Sequence, residues 1–217
     1  MKRIIAVFGL FATLLLTGCV QPTSYDYSAF KQYKPKSILV VLPQNNSPDI
    51  NASHSVLAQA TRPLAESGYY VFPVAVVDEM FKQNGVTNSS DIQAINPAKL
   101  KEIFNADSAL YITVTSYGTA YQIINSDTRV TANAKLVDLA SGTTLWSGSA
   151  TASSTEGDSY SDGWMVLINA AITQITSTIS DKSYQIAGIA TSRLLSANNQ
   201  NGILYGPRSP QYGHDAQ

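Results

Sequence analysis

One cysteine, two histidines and a low share of charged residues (13%) mark what this chain of 217 residues has little of. With Cys19 alone no disulfide can close within the chain, so the fold must be held by its core. One thiol with the distant His54 and His214 cannot assemble a zinc-type cluster, and no metal is expected. Lysine and arginine number 14 against 15 acids; without a basic excess to neutralise phosphates, nucleic acid is excluded as a partner. Beyond residue 16 no apolar run approaches the roughly 20 residues that cross a bilayer. Catalytic signatures are missing as well: there is no G-x-S-x-G elbow, Walker A loop or G-x-G-x-x-G fingerprint. Ser28-Ala29-Phe30-Lys31 matches S-x-x-K, but that tetrapeptide is common and here lacks a helical pattern around it. The chain reads as a binding protein, not an enzyme.

What is present gathers at the start. Lys2 and Arg3 precede an apolar run from Ile4 to Leu16, followed by Leu16-Thr17-Gly18-Cys19. The run is too short to span a bilayer and reads as the h-region of an export signal. The tetrapeptide fits a bacterial lipobox, which predicts cleavage between Gly18 and Cys19 and lipidation of Cys19. The alternative is a plain secretory signal with a chance cysteine. The expected modification is a covalent diacylglycerol on the thiol and an N-acyl chain such as palmitate on the new amino terminus; no other cofactor is expected. Each buried CH₂ contributes about 0.8 kcal/mol, so several chains anchor the protein without a span. Val20 and Gln21 lack the aspartate that retains lipoproteins at the inner membrane, which points to the outer membrane and a periplasm-facing domain. Lys2 and Arg3 are the only charges in residues 1–18, so the mature chain keeps 12 basic and 15 acidic groups, net −3.

The rest divides into a lipidated N-terminus and tether (19–36), one α/β domain (37–195) and a polar C-terminal tail (196–217). In the tether, Tyr25, Tyr27, Phe30 and Tyr33 either lie along the domain or membrane surface or form a docking segment. Ile38-Leu39-Val40-Val41 suits a strand buried on both faces. A helix follows from Ser53 to Gly68, with a kink or break predicted at Pro63. Tyr69 to Val74 reads as a second strand, Val76 to Gln83 as a short helix, and Asn96-Pro97 as the start of another. From Leu110 the period changes to two. Leu110, Ile112 and Val114, then Val130 to Leu136, then Thr143 to Thr151 predict an antiparallel meander. A single helical stripe runs from Trp164 to Leu195 through Met165, Ile168, Ile172, Ile175, Ile179, Ile186 and Ile189, packing on the sheet or pairing with another subunit. Glu156, Asp158 and Asp162 precede it, as favourable charge for a helix N-terminus or, less regularly, a calcium site. The fold class is a mixed-sheet α/β (α+β) domain with a long C-terminal helix.

Four stretches carry a resemblance. Ala134-Lys135-Leu136-Val137-Asp138 through Leu145-Trp146 resembles a hairpin found in curli-type secretion channels, the TolB N-terminal domain and lipoprotein activators of peptidoglycan synthases. Pro63 to Val74, Asp78 to Gly85 and Leu204-Tyr205-Gly206-Pro207-Arg208-Ser209-Pro210 are similar to a family of outer-membrane lipoproteins typified by a meningococcal surface lipoprotein. That resemblance covers nearly all of the mature chain and implies a TolB-like fold and a homodimer. It also implies, as partners, a curli-channel-like protein and another lipoprotein encoded nearby. It brings no catalytic residue. The expected function is therefore that of a lipid-anchored accessory to a secretion or envelope-assembly complex, with Trp164, Tyr205 and Arg208 as candidate protein contacts. A carrier of a small apolar ligand would need an internal cavity beneath the sheet, and an envelope hydrolase would need a cleft with perturbed acids.

Overall fold

The computed structural model describes residues 25–121, 126–156, 179–197 and 199–215. Gly18, Cys19, Asp158, Asp162, Trp164 and the stripe positions Met165, Ile168, Ile172 and Ile175 lie outside the described residues. Elements follow in the order α1 (Ser28–Tyr33), β1 (Ser37–Val40), β2 (Gln44–Asn45), α2 (Ala52–Glu66), β3 (Tyr70–Val71), α3 (Val74–Gln83), α4 (Ser89–Ala94), α5 (Pro97–Phe104), β4 (Ser108–Tyr121), β5 (Ser126–Asp138), β6 (Thr144–Ser153) and α6 (Ile179–Leu195).

One mixed sheet organises the chain in the order β3-β1-β4-β5-β6, with β2 paired to β4 at Thr113 and Val114, just beyond the residues that pair with β1. β1 runs parallel to both β3 and β4, while β4, β5 and β6 form the expected antiparallel meander. Ile38, Leu39 and Val40 of β1 are all buried, as a strand covered on both faces requires. On β4 and β5 the alternation puts Leu110, Ile112, Val114, Val130, Ala132, Ala134 and Leu136 inside. An extra residue, Thr115, bulges between the Val114–Ala132 and Ser116–Thr131 pairs, so the inward position passes to Tyr117.

Helices α2 and α6 pack together and cover the inner face of the meander. Small residues make this close approach possible. Ala132 and Ala134 on β5 and Ala187 and Ala190 on α6 are buried, and a Cβ on Gly188 would already stand 3.3 Å from the Gln59 side chain of α2. α5 starts as its sequence predicts, with Asn96 accepting from the Ala98 N–H and Pro97 in the first turn.

Four local expectations change. α2 is continuous through Pro63, which sits in the final turn and so removes only the donor owed to the Gln59 carbonyl. The second strand shortens to Tyr70–Val71, because Pro73 closes it and α3 begins at Val74. α4 is an addition capped by Asn88, whose side chain accepts from Ser90 N at 2.9 Å. The tether holds a helix after all: α1 turns Phe30 into the core, where it is 4% exposed, while Ser28 and Lys31 of the S-x-x-K match face solvent.

Candidate interaction surfaces

Both terminal segments are fastened to the body, and they are fastened to each other. Ile203 is fully buried and Leu204 is 7% exposed, so the apolar island of the tail belongs to the core. The Tyr69 hydroxyl donates to the Leu204 carbonyl, Gly206 N donates to Ser67 O at 2.8 Å, and Arg208 N donates to Gly68 O at 3.1 Å. This backbone-on-backbone contact needs two glycines. A Cβ on Gly206 would lie 2.6 Å from Gly68 O, and one on Gly68 would lie 2.8 Å from Gly206 O. Gly68 also has φ +96°, where other residues are strained.

At the other end, Tyr25 N donates to Asn201 Oδ1 at 3.3 Å, Ser147 N donates to the Tyr25 hydroxyl at 2.9 Å, and the Tyr27 hydroxyl donates to Gly202 O. The Tyr25 and Tyr27 rings lie 4.9 Å apart. Burial, with Tyr25 and Asp215 nearby, pushes the Tyr27 phenol up to about 12. Trp146, 1% exposed, completes the clasp by donating its Nε1–H to Asn201 O at 3.0 Å. Of the two readings of the tether aromatics, Tyr25, Tyr27 and Phe30 take the one along the domain.

Tyr205 and Arg208 are thus brought together on one docked segment; Trp164 lies outside the described residues. Tyr205 is half-buried at a cleft of about 410 Å³ whose walls include Phe30, Lys31, Lys34, Leu204 and Tyr212. Arg208 is exposed with its guanidinium 5.4 Å from the Tyr70 ring centroid, and Tyr70 is itself 42% exposed. Tyr70 in turn packs edge-on against Phe72 at 5.1 Å. Edge strand β3 therefore carries a solvent-facing Tyr–Arg pair on a rigid base. Sequence reasoning named Arg208 but missed Tyr70, which reads there only as a β-former.

A second depression, about 420 Å³, lies on the outer sheet face between Gln93, Ile95 and Pro97 and the strand residues Tyr111, Asn133 and Lys135. Gln93 fixes its wall by donating to Leu42 O at 3.0 Å and Ile112 O at 2.9 Å. Around it the sheet is polar, with Lys135 Nζ 5.7 Å from the Tyr111 ring centroid and Thr131 hydrogen-bonded to Thr151 at 3.0 Å. Both depressions open to solvent, which differs from the internal cavity expected of an apolar-ligand carrier.

Two carboxylates are held in their charged form. Burial would raise Asp107, but the Lys36 N–H, the Ser37 groups and Lys101 more than offset it and hold the carboxyl low. Asp127 is likewise lowered, burial being outweighed by Ser153, Arg129 and Thr155. A general acid needs the opposite direction, and neither residue lines the two depressions. Buried Asp78 accepts from Lys82 Nζ at 2.6 Å and lies 3.5 Å from His54 Nε2. Among the described residues no group of three or more His, Cys, Asp or Glu side chains could hold a metal. Glu156 pairs with Arg193 at 2.6 Å in the last turn of α6, because β6 ends beside that turn; the helix start that it was expected to favour lies outside the described residues. Arg193 also donates to Thr151 O at 2.8 Å, tying α6 to the edge strand.

Residues 25–208 match the model of the GNA1162-like lipoprotein family. Lipoprotein NMB1124/NMB1162 from Neisseria meningitidis serogroup B is 51% identical over 204 residues, which cover 93% of this chain and 95% of that protein. The crystal structure of lipoprotein GNA1162 from Neisseria meningitidis is 53% identical with a TM-score of 0.55, covering 66% of this chain and 100% of that one. The LpoB C-terminal domain from Salmonella enterica is 15% identical with a TM-score of 0.40, covering 58% of this chain and 98% of that domain.

Proposed function

The chain belongs to the GNA1162-like lipoprotein family, and from that membership we propose a protein-binding accessory of a secretion or envelope-assembly complex. In this reading, cleavage after Gly18 leaves Cys19 as the first residue, acylated and anchored in the outer membrane with the domain facing the periplasm. Tethering raises the effective concentration for a membrane partner, so modest contact affinity suffices. The role is one of binding, without a catalytic step. A curli-channel-like protein, another lipoprotein and a second copy of the chain are the partners of this proposal.

The observation that supports it is the exposed Tyr70–Arg208 pair with Tyr205 nearby, held by the backbone bonds at Ser67 and Gly68. Tyrosine and arginine dominate interface energetics, and a contact residue already ordered costs little further entropy on binding. Deleting the tail would not test this, since Ile203 and Leu204 are core residues. The test is in-cell cross-linking and mass spectrometry of the parent against a Tyr70→Ala/Arg208→Ala variant. Links to envelope proteins that weaken in the variant support the proposal; an unchanged pattern, or links to no other protein, refutes it.

A further inference from the structure

We propose that α1 and the residues after it form a lipid-facing surface that lays the domain against an anionic phospholipid leaflet. The inference rests on acylation of Cys19 as proposed above, and its first support is chain length. Five residues lie between Cys19 and Tyr25, the first described residue. Even fully extended, at no more than 3.6 Å for each of the six steps, this stretch reaches about 20 Å. A domain of this length has a radius of gyration of about 16 Å and so a diameter of about 40 Å. The leash is therefore shorter than the body, and the face beside Tyr25 stays next to the bilayer. That face cannot swing away locally, because Tyr25 and Tyr27 are bonded to Ser147, Asn201 and Gly202.

The second support is charge. α1 spends Phe30 on the core and leaves Lys31 and Tyr33 outward, with Lys34 and Lys36 exposed directly after it. Residues 25–36 hold Lys31, Lys34 and Lys36 against Asp26 alone, net +2, on a mature chain of net −3. Asp215 lines the cleft beside Lys31 and Lys34, and Asp107, which accepts from the Lys36 N–H, is paired with Lys101, so the balance of these groups stays positive. Tyr33, 36% exposed, supplies the amphipathic ring that suits a headgroup layer. An anionic leaflet complements this end of the domain, whereas the chain as a whole would be repelled by it.

The test uses the acylated protein in vesicles. Because Cys19 carries the lipid, a cysteine introduced at Gln32 can be labelled alone, and one at Lys99 on α5 serves as reference. Flotation with the vesicles reports anchoring independently of orientation, so loss of flotation points to the anchor and not to this surface. In phosphatidylglycerol-containing vesicles, headgroup-quencher lipids should quench the Gln32 label and spare the Lys99 label. In pure phosphatidylcholine the leash still keeps this end near the surface, but quenching of the Gln32 label should fall well below that in the phosphatidylglycerol-containing vesicles. A basic residue near such a surface is worth roughly a fivefold shift, so Lys31→Gln/Lys34→Gln should lower the apposed-to-free ratio about twenty-five-fold. High salt should do the same without any substitution, since the screening length falls to about 3 Å at 1 M. Equal quenching of the two labels, indifference to lipid charge, or quenching that disappears on diluting protein within the vesicle (a second copy as the occupant) would each overturn the proposal.

Discussion

Replacing Gly206 by alanine tests the docking of the tail more sharply than any deletion. The added Cβ would stand 2.6 Å from Gly68 O and 2.7 Å from Gly68 C, where ordinary contact begins at 3.4 Å. Both obstructing atoms are backbone, so the segment must retreat by about 0.8 Å. That displacement takes the Gly206–Ser67 bond from 2.8 Å and the Arg208–Gly68 bond from 3.1 Å to beyond hydrogen-bond range. Two lost bonds cost about 1 kcal/mol each, and loosened packing at Leu204 adds a comparable amount, for a total of roughly 3 kcal/mol. In a domain of this size the midpoint should fall by about 6–12 °C. Gly85→Ala is the control. At φ +78° with nothing within 4 Å of its Cβ, it isolates conformational strain of about 1 kcal/mol. Equilibrium urea unfolding of both variants decides the matter. A Gly206→Ala cost no larger than that of Gly85→Ala would refute the idea that the tail is locked by this close contact.

Gly148→Ala should cost about 1–3 kcal/mol in the same assay, because its Cβ would overlap the indole of Trp146 folded over that position. Arg193→Gln and Glu156→Gln should show a coupling of about 1 kcal/mol in a double-mutant cycle, since the pair is only half-exposed; additive costs would count against it. Asp107 has a folded pKa below its unfolded value of about 3.9, so its contribution is fully present above that pH and is lost as pH falls through the folded value. Asp107→Asn should therefore destabilise at pH 7 and flatten the acid limb of a stability–pH profile, and an unchanged limb would exclude the Lys36–Ser37 cap as its origin.

Period-two alternation at Leu110 to Val114 and Val130 to Leu136 made the meander legible in the chain, as Asn96-Pro97 did the start of α5. What escaped was decided by long-range packing. Thr115 looks like any strand residue, and only the register with Ala132 and Thr131 makes it a bulge. Phe30, Ile203 and Leu204 sit in polar or proline-bearing surroundings, so nothing local says that they complete the core. Tyr205 and Arg208 were readable as candidates, but Tyr70 becomes the base for Arg208 only once the tail crosses the end of α2. Gly206 gave no turn signal of its own; its need for hydrogen at Cα arises from a partner 138 positions earlier, at Gly68.

The clasp between Tyr25–Tyr27 and Asn201–Gly202 bears on when the molecule can finish folding. Its opening residues have no resting place until almost the last stretch of polypeptide has been synthesised and delivered, so this closure ranks among the final steps by which the domain sets.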